Sequence, residues 1–107
     1  MVSSGKISAT SVGRAGEFLT ASKLQMAGLE TAHVDGSCDL HVTMPNKRVL
    51  RVEVKAALTP SPSGAFKFHV GNSNAEVFVL VCMPLSLVRI FGESDLTGKT
   101  ITLRPAR

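Results

Sequence analysis

Asp39, Glu53 and Lys55 are the residues of this chain whose types and spacing suit chemistry. Glu53 and Lys55 stand two apart in RVEVKAA, residues 51–57, where Val52 and Val54 alternate with Arg51, Glu53 and Lys55. A period of two puts the acid and the base on one face of a strand and the valines on the other. Such a face can be a solvated edge, an ion pair, or half of a metal-dependent active site.

A hairpin brings a second acid to the first. Residues 39–44 also alternate, with Leu40, Val42 and Met44 against Asp39, His41 and Thr43, and Pro45, Asn46 and Lys47 offer a three-residue turn. If Met44 faces Arg48, then Val42 faces Leu50, Leu40 faces Val52, His41 faces Arg51 and Asp39 faces Glu53. A slip of one residue would send one strand's apolar set to the wrong face, so the pattern itself favours this register. Facing carboxylates repel. Lys55 relieves part of that cost and a divalent cation relieves more. Mg²⁺ binds through one or two carboxylates and keeps several waters, and the backbone carbonyl of Val54 offers another oxygen. Asp39 and Glu53 would hold the ion, and Lys55 would place or deprotonate a water.

The elements that must position these groups follow from the rest of the chain. Ala15, Phe18, Leu19, Ser22 and Met26 recur at spacings of three and four, which predicts a helix over 12–27 with those residues as its buried face, capped by Ser11 and stopped by Gly28. Residues 1–10 read as a flexible lead-in. Strands are expected at 29–34, 39–44, 48–57, 65–70, 77–83, 85–91 and, as a closing edge strand, 100–103. Between them lie turn-forming stretches at 35–37, 59–64, 71–74 and 93–98. The run at 77–83 is apolar throughout and reads as a central strand. The order predicts an α+β fold, a central mixed sheet with the N-terminal helix packed on one face, in a single domain over 1–107.

With 107 residues, 44% hydrophobic and 19% charged, the chain can bury a core and is not a disordered segment. No apolar run reaches the roughly 18 residues of a membrane helix, and the polar start MVSSGKISATS lacks a signal peptide's apolar stretch, so a cytoplasmic location, in a prokaryote or a virus-infected host cell, is expected. Cys38 and Cys82 read as buried reduced thiols. The net charge of +4 leans toward a polyanion, and the absence of Trp and Tyr argues against a base-stacking platform. Lys6, Arg14, Lys23, Lys47, Arg48 and Arg51 are candidate phosphate contacts. His33, Cys38 and His41 match no familiar zinc spacing. His41 and His69 flank the cleft or face solvent.

Asp39 followed by Glu53-Val54-Lys55 at the end of an apolar strand resembles the PD-(D/E)xK nuclease superfamily, and Gly13-Arg14-Ala15-Gly16-Glu17 matches that family's helix motif with its own Glu. The arrangement over residues 12–104 is similar to Holliday-junction resolvases and the small endonucleases near them. The resemblance implies a restriction-endonuclease-like fold and hydrolysis of DNA phosphodiester bonds, on duplex or branched DNA. It implies Mg²⁺, with Mn²⁺ able to substitute, held by Asp39, Glu53 and the Val54 carbonyl. Glu17 would be a further ligand or act through water, and Lys55 would activate the attacking water. DNA contacts would come from Lys6, Arg14, Lys47, Arg48 and Arg51. A domain this small grips a duplex poorly, so a homodimer is expected. The alternatives are a nuclease-fold module that only binds nucleic acid or a partner protein, and a hydrolase of RNA or smaller phosphate esters.

Overall fold

The computed structural model describes residues 7–34, 39–71, 74–92 and 100–104. Helix α1 runs Ala9–Met26, followed by β1 (Glu30–His33), β2 (Leu40–Thr43), β3 (Val49–Ala57), β4 (Phe66–His69), β5 (Val77–Cys82), a 3-10 turn at Met83–Leu85, β6 (Leu87–Gly92) and β7 (Thr100–Leu103). The expected α+β architecture holds: one N-terminal helix packs on a mixed sheet of five strands.

The helix differs from expectation at its start and on its buried face. Ser8, not Ser11, is the cap: its hydroxyl accepts the Ser11 backbone N–H at 3.1 Å, so residues 9 and 10 of the expected lead-in already lie in the first turn. Gly28 does end the helix, with φ at +88°. The Leu29 N–H reaches the Leu24 carbonyl at 3.0 Å and the Gly28 N–H reaches the Gln25 carbonyl at 2.9 Å, a Schellman closure. Phe18 and Met26 are exposed, and so are Ala15 and Ser22. Gly16 and Thr20 are the residues buried against the sheet, with Leu19 and Leu24 packed beside them. The cause is close approach. A Cβ at Gly16 would stand 2.6 Å from the Cβ of Ala56, so the backbone itself meets β3 there.

The large sheet runs β1-β2-β3-β5-β6, with β3 and β5 parallel and the other pairs antiparallel. The β2–β3 register is the expected one: Leu40 with Val52, His41 with Arg51, Val42 with Leu50. The turn between them closes through Lys47 N–H to the Met44 carbonyl and Met44 N–H to the Arg48 carbonyl, both 2.8 Å, with Lys47 in the left-handed region at φ 73°. This is a three-residue hairpin loop of the common type. On the helix side the sheet buries Leu40, Val42, Val52, Val54, Val79 and Val81. Its other side buries Phe78, Leu80 and Cys82 beneath Phe66 and Phe68. Those two phenylalanines come from a separate two-stranded sheet. β7 is an edge strand as expected, but of this second sheet and not the central one: it pairs antiparallel with β4, Phe66 opposite Leu103. No helix among the described residues is long and apolar enough to cross a membrane.

Candidate active site

The expected facing of Asp39 and Glu53 is replaced by something more specific. Paired register stops at Leu40 and Val52. The Asp39 N–H donates to the Val52 carbonyl at 3.0 Å, not to Glu53, so Asp39 steps out of the ladder. Its carboxylate then accepts the Val54 N–H at 2.7 Å. Val54 lies two residues beyond Val52, the last β3 position paired with β2, and a residue's N–H and carbonyl share one edge of a strand. The Asp39 carboxylate therefore caps the strand edge on which the Val54 carbonyl also opens. Glu53 and Lys55 flank Val54 on the sheet face away from α1, and Lys55 Nζ lies 3.1 Å from Glu53 Oε2. Glu53 is well shielded and Lys55 about two-fifths exposed, with side-chain exposures of 16% and 39%.

Glu17 approaches from the helix side, placed by the Gly16 contact on Ala56. Burial, and then the neighbouring Asp39 carboxylate, hold the Glu17 carboxyl above its ordinary range, while Arg14 and His33 pull it back. Arg14 Nε stands 3.9 Å from Glu17 Oε1, and the His33 ring tilts against Phe18 with centroids 4.8 Å apart. Glu17 and Asp39 thus sense each other. Among the described residues no three or more His, Cys, Asp or Glu side chains are gathered closely enough to hold one ion. The donors on β3 past the end of its pairing with β2 are of the kind a hard cation takes: two carboxylates and a carbonyl, all oxygen.

The expected DNA contacts separate into two groups. Arg14 sits beside Glu17, at the carboxylate end. Lys47, Arg48 and Arg51 lie toward the hairpin tip, with Lys47 about 20 Å along the strand from Glu53. Lys6 lies outside the described residues, as does Cys38, and with it the three-ligand zinc arrangement. Cys82 is a buried free thiol, pushed up by its burial. His69 is exposed on β4, 3.4 Å from the Thr100 hydroxyl.

Sequence reasoning missed Glu76. Its carboxylate accepts the Arg51 backbone N–H at 3.1 Å and faces Arg51 Nε at 3.5 Å and Arg48 Nη2 at 2.9 Å. Its own N–H donates to the Arg51 carbonyl at 2.8 Å. The Arg51 backbone bond first, and then the Arg48 guanidinium, hold the Glu76 carboxyl below its ordinary range. A lone acid between a loop and a buried strand has no periodic cue. The only available hint was its position just ahead of the one strand apolar throughout.

No family model matches the chain, and no curated protein matches it. Among solved structures it is similar to a bacterial homing endonuclease, I-Ssp6803I, at a TM-score of 0.79 and 16% identity, covering 95% of this chain and 79% of that one. At that identity the likeness is one of fold.

Proposed function

We propose that this chain is a Mg²⁺-dependent endonuclease that hydrolyses phosphodiester bonds of duplex DNA. The observation that carries the reading is the Asp39 carboxylate seated on the Val54 N–H, which brings a second acid to the strand between Glu53 and Lys55. The fold shared with a homing endonuclease supports the choice of reaction and of DNA. Asp39, Glu53 and the Val54 carbonyl would hold the ion. When bound, Mg²⁺ polarises a phosphate oxygen and acidifies a coordinated water. Lys55 Nζ, already tethered by Glu53, holds the attacking water in line and offsets the charge that builds on the phosphate. Glu17, whose carboxyl keeps a proton more readily than usual, engages the site through water from the helix side. Arg14 lies beside it, placed for a phosphate. Mn²⁺ substitutes for Mg²⁺. The domain acts as a homodimer, which gives so small a domain two cutting centres.

The test is cleavage of linear duplex, nicked duplex, four-way junction and RNA by the purified chain with Mg²⁺ or Mn²⁺. Duplex cleavage is expected, lost in Asp39→Ala, Glu53→Ala and Lys55→Ala while circular dichroism stays unchanged. Preference for the junction would assign branched DNA as the substrate. No cleavage of any substrate by the wild-type chain would overturn the reading. Because Lys55 is engaged by Glu53 and no three acids converge among the described residues, a DNA-binding module without catalysis is the second reading. DNA binding without cleavage would select it.

A further inference from the structure

The Arg51–Glu76 pair has a geometry that phosphate binding does not need. Glu76 is fixed from both sides: its N–H and its carboxylate each bond the backbone of Arg51, and its second oxygen holds Arg48. The carboxylate meets the Arg51 guanidinium at Nε, 3.5 Å away. Among the described residues neither terminal nitrogen of Arg51 has a partner, and the side chain is 47% exposed. A guanidinium braced at Nε turns its remaining fork outward. Such a fork matches the O6 and N7 acceptors of guanine in the major groove.

The surroundings favour a base over a phosphate. Glu76 cancels one of the two positive charges of Arg48 and Arg51, and its carboxylate would repel an approaching phosphate. A base edge carries no full charge and is chosen by hydrogen-bond geometry. Arg51 faces His41 across the strands, and this is a non-hydrogen-bonded pair, because Met44 N–H bonds the Arg48 carbonyl and the ladder alternates from there. Side chains of such pairs stand close together. With Thr43 and the exposed Val49 they form an open face of the β2–β3 ribbon. The helix covers the opposite face, and the β4–β7 layer lies over Phe78, Leu80 and Cys82. Two strands side by side fit a major groove about 12 Å wide.

We propose that the open face of the β2–β3 ribbon enters the major groove of duplex DNA, where Arg51 reads a guanine beside the cut. Glu76 is the positioning residue and His41 the flanking contact. This rests on the nuclease reading above, because position follows from the shared strand. Arg51 stands two residues before Glu53, about 7 Å, or roughly two base-pair steps of 3.4 Å. The guanine therefore lies about two to three base pairs from the scissile bond.

The experiment is selection from a randomised duplex library by the full chain, read by cleavage with Mg²⁺ and separately by binding with Ca²⁺. Affinity is also measured against salt. Wild type is expected to enrich guanine at one position two to three pairs from the cut. Arg51→Ala and Arg51→Lys should both lose that preference, by about 10- to 100-fold, with other positions unchanged. The lysine variant guards against misfolding, and a lysine cannot form the fork. Glu76→Gln should weaken the same preference and, by uncovering charge on Arg48 and Arg51, steepen the slope of log affinity against log salt. Lys47→Ala should lower affinity for all sequences alike and flatten that slope. An unchanged base profile in Arg51→Ala overturns the proposal and leaves the nuclease reading standing. So does a uniform loss with a flatter slope, which would make Arg51 a phosphate contact. No binding and no cleavage of any DNA overturns both.

Discussion

At one end β3 carries Glu53 and Lys55, tied to each other at 3.1 Å within the strand, beneath a helix pressed onto Ala56 through Gly16. At the other end it carries Arg51, with Arg48 just ahead of it, tied to Glu76 from a different segment of chain. On the helix face Leu24 of α1 covers that second end incompletely. Leu50, Val52, Val77 and Ile90 line an apolar cavity of about 160 Å³ there, and Ile90 is 60% exposed. The same strand therefore offers a clamped end, where acids and a base are held against fixed backbone, and a looser end whose charges depend on a loop. Chemistry on a phosphodiester tolerates little displacement of its groups. Base reading by a side-chain fork tolerates adjustment of the strand that carries it.

The largest break in this comparison should come from the charges themselves. Lys55→Ala is expected to slow DNA cleavage by about 10²- to 10⁴-fold, whereas Glu76→Gln should leave the rate on its best substrate within a few-fold. Single-turnover kinetics at saturating enzyme reads the difference. Next comes the clamp. Gly16→Ala forces a Cβ onto Ala56 and should cost about 1–3 kcal/mol in urea unfolding, and cleavage should fall with it because Glu17 is the next residue. A change at the loose end should act in the opposite direction. Lys47 holds a positive φ, so Lys47→Gly should stabilise the fold by about 0.5–1 kcal/mol. A loss there would mean that the hairpin is not closed as described.

The smallest effect is one of sign, read as melting temperature against pH for Glu17→Gln and Glu76→Gln. Glu76 is held below its usual 4.5, so its contribution is complete above that value and disappears as pH falls through the lowered one. Glu76→Gln should be less stable than wild type at neutral pH and equal to it in acid. Glu17 is held above 4.5, so wild type loses stability as pH rises from there through the raised value. Glu17→Gln should be the more stable protein at neutral pH, with the advantage fading in acid. Two curves of the same sign would remove the distinction between the ends.

Much of the β2–β3 hairpin was legible because alternation on two strands joined by a short turn leaves only one register that buries both apolar sets. β7 was bounded correctly for the same reason, but its partner was not, since nothing local links residues 66–69 to 100–103. The helix face was misread because hydrophobic periodicity weights large side chains. The contact is made by Gly16 and Thr20, which are small, while Phe18 stays exposed against His33 at the end of the edge strand β1. At the candidate site, the strand placing Glu53 beside Lys55 was visible. The departure of Asp39 from the ladder was not, because it depends on a backbone N–H left over where β2 ends. Glu76 was missed because its role exists only once the parallel pairing of β3 and β5 brings it to Arg51.

That parallel pairing also bears on how quickly the protein reaches its native state. The β2–β3 hairpin closes over a three-residue turn and can form in microseconds. β3 meets β5 only after the intervening chain, which contains β4, has looped back, and β4 must then wait for β7. Contacts of such sequence separation are slow to assemble. Residues 49–52 should thus be paired early, with one edge still open, well before β5 arrives to pair residues 53–57 and Glu76 to brace Arg51. Refolding should show the two ends of β3 gaining protection from hydrogen exchange at different times, Leu50 and Val52 first and residues 53–57 last.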